Sequence, residues 1–217
     1  MGDAGFPTWD WKKAEKALYL PGSTPVRVSV PEMPFFVVAG EGSPDRPEFG
    51  QEIGALYALS YTIRMWAKKR PAPPGFVAYA VFPLEGVWDV TGAAKAEGKA
   101  GVPDRTAFAY ELMIRQPPFV TDAFAAEAVS AAAEKIPPGI RARVRFERRT
   151  EGDCVQMLHL GPYADEPASF GRMARWCGEQ GLSRTSRTHR EIYLSNPGAV
   201  APEKMRTVLR FGVRPKG

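Results

Sequence analysis

The chain has 217 residues, of which 44% are hydrophobic and 24% are charged, a composition typical of soluble globular proteins. This composition excludes wholesale disorder, and no apolar run approaches the roughly 20 residues that a membrane-spanning helix needs. The first ten residues lack the basic start and apolar stretch of a secretory signal, so we expect a cytoplasmic protein. The two cysteines, Cys154 and Cys177, are too few for a disulfide framework.

The net charge is +5, from 29 lysine and arginine residues against 24 aspartate and glutamate residues. The basic residues group at 68–70, 141–149 and 184–190, and isolated charge runs of this kind are typical of solvated surface. So small a surplus does not indicate an anionic polymer as the partner. We therefore predict that neither nucleic acid nor a membrane is a partner.

Clusters of proline and glycine divide the chain into short segments, and hydrophobic periodicity assigns each segment to a helix or a strand. In chain order, the predicted elements are an N-terminal helix at about 8–20, strands at 26–30 and 34–40, a helix at 47–69, strands at 76–84 and 108–114, a helix at 121–135 with Thr121 as its cap, strands at 141–147 and 153–160, a helix at 167–180, and strands at 190–195 and 205–213.

A faint internal repeat relates the two parts of the chain, because the order strand, strand, helix, strand occurs over 26–84 and again over 141–195. Such duplicated units usually pack around a pseudo-twofold axis and leave a ligand groove between them. We therefore predict an α+β fold in one domain, 1–217, with a first module at about 26–115 and a second at about 121–217. Antiparallel sheets should line the central groove, and the helices should lie on its outer side.

Common catalytic motifs are missing from the sequence. It contains no glycine-rich phosphate loop, no G-x-S-x-G elbow and no C-x-x-C pair. A zinc site would have to combine the two cysteines with His159 and His189, but Cys154 and His159 are five residues apart on a predicted strand and point to opposite faces. We predict no metal and no cofactor. The two histidines are interpreted as structural or pocket-edge residues, with a histidine general base as the alternative.

Carboxylates set among aromatic residues remain as candidates. Glu85 follows a predicted strand, Glu166 ends the loop 161–166, and Glu191 lies within a strand on the same face as Tyr193. Charged residues in short strands usually face solvent, and an acid such as Glu166 equally fits the first turn of a helix. Tyrosines such as Tyr79 and Tyr110 are equally compatible with the core. Periodicity alone leaves these alternatives open.

Several motifs resemble the GyrI-like small-molecule-binding family. They are residues 156–167 (QMLHLGPYADEP), 189–197 (HREIYLSNP), 202–210 (PEKMRTVLR), 83–88 (PLEGVW), 56–61 (LYALSY) and 10–13 (DWKK). The resemblance covers nearly the whole chain and implies duplicated strand-helix-strand modules of the SHS2 type around a ligand groove. It further implies binding of bulky, often aromatic or cationic drugs, and some similar proteins hydrolyse cyclopropane-bearing DNA alkylators.

The resemblance also implies which residues act. Two pocket glutamates carry the reaction in the hydrolytic relatives, and the matching positions here are Glu166 and Glu191. We expect Glu191 to act as the base, Glu166 as a second acid or water-positioning group, and Tyr110 as a hydrogen-bond donor. The candidate ligand-binding residues are Trp88, Tyr79, Glu85, Tyr163, Phe170, Tyr193 and His159.

One departure from the family stands beside the second glutamate. Where the family usually has two adjacent histidines, this chain has His189-Arg190. Arg190 therefore either alters the edge of the pocket or points to solvent.

These observations predict a detoxifying hydrolase that captures a planar hydrophobic genotoxin and opens its strained ring with water. One alternative is a binding protein that senses or sequesters aromatic, often cationic drugs without chemistry. Another is an interaction protein that inhibits a DNA-processing enzyme. The residues before the first predicted strand are too few for a DNA-reading helix-turn-helix, so a self-contained transcription regulator is not expected.

Overall fold

The structure is a computed structural model that describes residues 5–68, 70–91, 105–196 and 198–217. The chain forms an α+β structure around a strongly curled antiparallel sheet. In the described part of the chain, no helix is both long enough and apolar enough to cross a bilayer.

The strands of the described residues are β1 (Thr8–Trp9), β2 (Val26–Val30), β3 (Met33–Glu41), β4 (Ala78–Tyr79), β5 (Leu84–Val90), β6 (Phe108–Arg115), β7 (Arg145–Arg149), β8 (Gly152–Leu160), β9 (Leu182–Arg184), β10 (His189–Tyr193) and β11 (Arg206–Pro215). The helices are α1 (Trp11–Ala14), α2 (Lys16–Tyr19), α3 (Pro47–Arg64), α4 (Asp122–Ala131), α5 (Pro138–Arg141) and α6 (Glu166–Glu179). A short 3-10 turn, Tyr163–Asp165, precedes α6.

The main sheet follows the order β2-β8-β11-β10-β5-β6-β3-β7, and every neighbouring pair in it is antiparallel. β9 pairs with the end of β11, while β1 and β4 form a separate parallel pair. The central β5–β10 pair joins two halves of the sheet. Each half is completed by a strand from the other part of the chain, because β2 lies beside β8 and β7 lies beside β3.

The two long helices lie on the same face of the sheet as the groove. We call this the inner face; it carries Leu84, Trp88 and Glu191. Apolar strand residues of this face pack with the core residues of α3 on one side and of α6 on the other. The prediction that the helices lie outside the groove is therefore wrong. The apolar side chains that each half of the sheet presents on its inner face have to be shielded from water. The two helices that shield them leave the groove between them.

Most predicted elements match the structure to within a few residues, including the Thr121 cap, whose side chain accepts from the Phe124 amide. Three segments differ. The expected N-terminal helix is two four-residue helices that meet at Glu15. The expected strand at 76–84 is reduced to β4, with β5 beginning only after Pro83, which has no backbone N–H to donate. The expected strand at 141–147 begins late, because the fixed φ of Pro138 starts α5 instead.

A buried ion network occupies the opposite, outer face of the sheet. Arg190 Nη1 lies 2.5 Å from Glu85 Oε2, and Arg190 Nε lies 2.9 Å from Glu151 Oε1. Arg210 Nη1 contacts the second Glu151 oxygen at 2.9 Å. Burial raises the pKa of Glu151, but the two arginines outweigh burial and hold that pKa below its usual value.

This network corrects two expectations. Glu85 is 1% exposed and is turned away from the groove, so its predicted role in ligand binding is wrong. Arg190 neither alters the pocket edge nor points to solvent, because it alternates with Glu191 along β10 and faces the opposite side of the sheet.

We expect Arg190→Met to lower the free energy of unfolding by about 3–5 kcal/mol, since it leaves Glu85 and Glu151 buried without their shared cation. Urea unfolding followed by circular dichroism measures the change. The control is Arg27→Ala, because its pair with Asp153 is about half exposed and contributes at most ~1 kcal/mol. Equal losses in the two variants would show that the buried network is not a main support of the sheet.

Candidate functional site

A cavity of about 1800 Å3 lies between α3 and α6, above the inner face of β5 and β10. Its walls are mainly aromatic and aliphatic, which suits a flat hydrophobic ligand. Much of the lining comes from both long helices, from these two strands and from the turn before α6, and it includes Phe49, Ile53, Tyr57, Leu84, Trp88, Tyr163, Pro167, Phe170 and Tyr193.

Glu166 and Glu191 meet in this cavity although 25 positions separate them in the sequence (191 − 166). Both residues are more than nine-tenths buried, and a hydrogen bond joins the two carboxyl groups. Burial, the charge of Glu191 and this hydrogen bond together raise the pKa of Glu166 to about 9, with burial as the largest cause. Glu166 therefore keeps its proton at neutral pH. Its Oε1 is buried and has no hydrogen-bond partner in the described residues.

A short chain of hydrogen bonds fixes the other carboxyl group. Trp88 Nε1 donates to the Tyr193 hydroxyl at 2.8 Å, and that hydroxyl donates to Glu191 Oε2 at 2.9 Å. The direction is determined, because an indole N–H can only donate. His189 Nε2 lies 2.9 Å from Glu191 Oε1, and the His189 ring contacts Phe170 edge to face. Both Glu191 oxygens are thus held by protein groups, in contrast to Glu166 Oε1, which is buried without a hydrogen-bond partner in the described residues.

Strand geometry explains this arrangement. His189, Glu191 and Tyr193 alternate along β10 and therefore share the inner face. Gly86 lies opposite Glu191 on β5, and a Cβ atom at Gly86 would lie 2.7 Å from Trp88 Nε1 and 3.0 Å from the Tyr193 hydroxyl. The absence of a side chain at Gly86 leaves the space in which the indole and the phenol meet.

A second chain of hydrogen bonds positions Glu166. His159 Nε2 donates to the Pro162 carbonyl at 3.1 Å, so its Nδ1 accepts from Ser169 Oγ at 3.0 Å. Arg172 in turn donates to Ser169 at 3.2 Å. His159 therefore ties the turn before α6 to the helix itself, which fixes the segment that carries Glu166.

Six of the ten predicted site residues line the cavity, namely Glu166, Glu191, Trp88, Tyr163, Phe170 and Tyr193. Among the described residues, no group of three or more His, Cys, Asp or Glu side chains is arranged to hold a metal ion.

The other four predicted residues lie elsewhere. Glu85 belongs to the outer-face network, and His159 is 2% exposed and acts on the turn rather than on the cavity. Tyr79 packs among core aromatic rings, and its buried hydroxyl has no partner in the described residues. Tyr110 donates to Glu52 at 2.8 Å, outside the cavity, so its predicted role as a donor to a ligand is wrong.

Sequence reasoning missed part of one wall of the cavity. Phe49, Ile53, Tyr57 and Tyr61 recur every four residues on α3 and line the cavity, whereas hydrophobic periodicity predicts only a helix at 47–69. The signal that distinguishes them is polarity, because two tyrosines on an otherwise apolar stripe indicate a surface that is partly open. His189, which the sequence presents as a possible metal ligand, general base or pocket-edge residue, contacts Glu191.

Known proteins are similar to this chain over most of its length. The model of the GyrI-like small molecule binding domain matches residues 24–214. No curated protein matches the chain. A structure of an uncharacterized conserved protein from Listeria innocua is 39% identical, with a TM-score of 0.85, over 94% of this chain and 99% of that one.

Two structures of hydrolases, also from Listeria innocua, are similar to this chain. One is 37% identical with a TM-score of 0.84, over 94% of this chain and 99% of that one. The other, encoded by lin2189, is 38% identical with a TM-score of 0.85, over 95% of this chain and 100% of that one.

We expect Gly86→Ala to break the contact between Trp88 and Tyr193, since the added methyl group would overlap the indole nitrogen. Resonances of the indole N–H group in a 15N spectrum should shift, and the free energy of unfolding should fall by about 1–3 kcal/mol. Gly50→Ala is the matched control, because a Cβ atom there meets nothing within 4 Å. An unchanged indole resonance in Gly86→Ala would contradict the proposed packing.

The pKa of Glu166 predicts a pH-dependent stability. Between its ordinary value of 4.5 and the folded value of about 9, the folded chain holds a proton that the unfolded chain has lost. This proton therefore stabilises the fold fully below the ordinary value, and the stabilisation is lost as pH rises towards the folded value. Glu166→Gln is neutral throughout, so its unfolding free energy should rise relative to wild type by about 1–3 kcal/mol between about pH 5 and about pH 8.

Urea unfolding at both pH values measures this difference. Glu179→Gln, at the exposed end of the same helix, should follow the wild-type pH dependence. A Glu166→Gln profile parallel to wild type would mean that Glu166 is ionised in the fold.

Proposed function

This chain belongs to the GyrI-like small-molecule-binding domain family, and we propose that it is a cytoplasmic hydrolase that detoxifies planar DNA alkylators by adding water to their cyclopropane ring. The observation that carries the proposal is the buried pair of Glu166 and Glu191 inside an aromatic groove, with one carboxyl oxygen that has no hydrogen-bond partner in the described residues. The two similar Listeria innocua hydrolases support a hydrolytic reaction.

The groove supplies the binding part of the reaction. Trp88, Phe170 and Tyr163 present aromatic rings around the carboxyl pair, and such rings stack on flat conjugated ligands. Stacking excludes bulk water from the reacting carbon and leaves a single site for the attacking molecule. Glu166 Oε1 defines that site, because it is a buried acceptor without a protein donor.

The carboxyl pair supplies the proton acceptor. A water held by Glu166 Oε1 attacks the ring methylene, and a C–O bond forms as one C–C bond of the cyclopropane breaks. The electron pair of that bond passes through the conjugated dienone to its oxygen, which becomes a phenolate and takes a proton from solvent. The water proton passes to Glu166 Oε1 while the proton on the other Glu166 oxygen passes to Glu191. Glu191 is thus the final base, and Glu166 positions the water and relays the proton.

The hydrogen bonds around Glu191 suit this role. Tyr193 and His189 stabilise its carboxylate before the reaction and keep it in place as it receives the proton. Burial and the neighbouring Glu191 raise the pKa of Tyr193, so its hydroxyl keeps its own proton and continues to donate.

One observation favours a second candidate function. A carboxylate among aromatic rings also binds cationic aromatic drugs, through charge pairing and stacking, without any reaction. In that case the protein senses or sequesters its ligand.

The internal duplication belongs to the same proposal. We infer two modules related by a pseudo-twofold axis, with β2, β3, β5 and β6 corresponding to β7, β8, β10 and β11. The strand order supports this inference, since it is the same from either end of the main sheet under that correspondence.

Mass spectrometry tests the reaction directly. The protein is incubated with a spirocyclopropyl cyclohexadienone alkylator, and we expect a product heavier by one water. Glu166→Gln and Glu191→Gln should each slow its formation by about 100-fold or more, as expected for loss of a general base. Glu179→Gln is the control and should keep the wild-type rate.

Binding is measured in parallel from the shift in melting temperature. A stabilising shift with unchanged ligand mass would support the sensing or sequestering function instead. Turnover that survives in both glutamate variants would overturn the proposed mechanism.

A further inference from the structure

The cavity wall carries basic side chains as well as the carboxyl pair. Arg187, which precedes β10, and Arg206, at the start of β11, line it, and so do Lys12, Lys16 and Arg64, where the last turn of α3 approaches the N-terminal segment. We call Lys12, Lys16 and Arg64 the basic end. In the described part of the chain, none of the three forms an ion pair.

Arg64 is the fixed member of the basic end. It is the last residue of α3 and is partly buried. Its Nε donates to the Tyr79 carbonyl at 2.8 Å, which holds the guanidinium in place. Its Nη1 has only the Met65 sulfur at 3.5 Å, and its Nη2 has no acceptor in the described residues. A partly buried guanidinium with unused donors beside a cavity is typical of a binding group for an oxyanion.

The two lysines lie on the neighbouring wall. Trp11 Nε1 donates to the Ala80 carbonyl at 3.0 Å, which fixes α1 beside the segment that also holds Arg64. Lys12 extends over the Trp11 ring, with its Nζ 5.5 Å from the ring centroid. Lys16 follows four residues later and lines the same cavity, whereas the intervening Lys13 does not.

We propose that the natural ligand of this groove is a flat aromatic acid, whose carboxylate or other oxyanion binds the basic end while its ring system stacks near the carboxyl pair. The inference rests on the proposed function only in that the groove binds a planar molecule. The acidic group of such a ligand is attracted to Arg64 and repelled by Glu191, which favours one orientation of the ligand in the groove. A cationic aromatic drug would bind in the reverse direction or more weakly.

Two fluorescent probes with one ring system test this proposal. Anilinonaphthalene sulfonate carries a sulfonate, and N-phenyl-1-naphthylamine has the same rings without it. We expect the sulfonate probe to bind about tenfold more tightly, a difference of ~1.4 kcal/mol. Each probe should displace the other, as expected for one shared site. Raising the salt to about 0.5 M should weaken binding of the sulfonate probe only, because salt screens partly exposed charges.

Variants locate the effect in the basic end. The double variant Lys12→Ala/Lys16→Ala changes exposed residues and keeps the fold, and it should weaken the sulfonate probe about threefold. Arg64→Gln should weaken that probe about tenfold. Both variants should bind the neutral probe with an affinity within about twofold of wild type. This result would also show that the groove is intact. Lys13→Ala is the matched control and should change neither probe.

The outcomes separate this inference from the proposed function. Equal affinity of wild type for the two probes, or no selective loss in either basic-end variant, would overturn the acidic-ligand inference and leave the groove as a binding site. If neither probe bound wild type, groove binding itself would be contradicted. Selective loss in Arg64→Gln, with turnover of a neutral alkylator retained, would support the inference independently of the mechanism.

Discussion

Two carboxyl groups that share a hydrogen bond in an apolar groove impose the main constraint on this fold. Glu166 and Glu191 remain together only if one of them keeps a proton, and burial provides that condition. The surrounding structure then has to hold both groups rigidly. The Trp88–Tyr193 chain does so for Glu191, and the His159–Ser169 chain does so for the segment of Glu166. The site is therefore a small polar network inside an aromatic cavity.

Because side chains alternate between the two faces along β10, two adjacent residues lie in opposite electrostatic environments. Glu191 faces the groove, while Arg190 faces a buried network with Glu85 and Glu151 on the other side of the sheet. Arg190 is buried, and the carboxylates of Glu85 and Glu151 balance its charge. Arg190 is therefore next to Glu191 in the sequence but on the other face of the sheet, so its charge does not neutralise the Glu191 carboxylate.

Sequence predicted most elements, because apolar periodicity and turn residues determine local structure: α3, α6 and β8 appear where their patterns place them. It failed at proline-bounded segments such as 138–141, where backbone geometry outweighs alternation. The pairing of Glu166 with Glu191 came from family resemblance and not from periodicity, which favoured solvent for Glu191. Glu85 was misplaced because local sequence does not reveal which face of a strand points to the groove, and only the sheet register decides that. Tyr110 lies on the inner face, but its hydroxyl donates to Glu52 of α3, a contact between distant residues that local sequence does not reveal.

The exchange of edge strands between the two halves of the sheet has a consequence for biosynthesis. β2 is made early, but its partner β8 follows more than a hundred residues later, and the central β5–β10 pair closes only after β10 has emerged. Neither half of the sheet is complete until a strand from the other part of the chain has been made, since β3 waits for β7 and β2 waits for β8. The carboxyl pair forms later still, because Glu191 lies on β10.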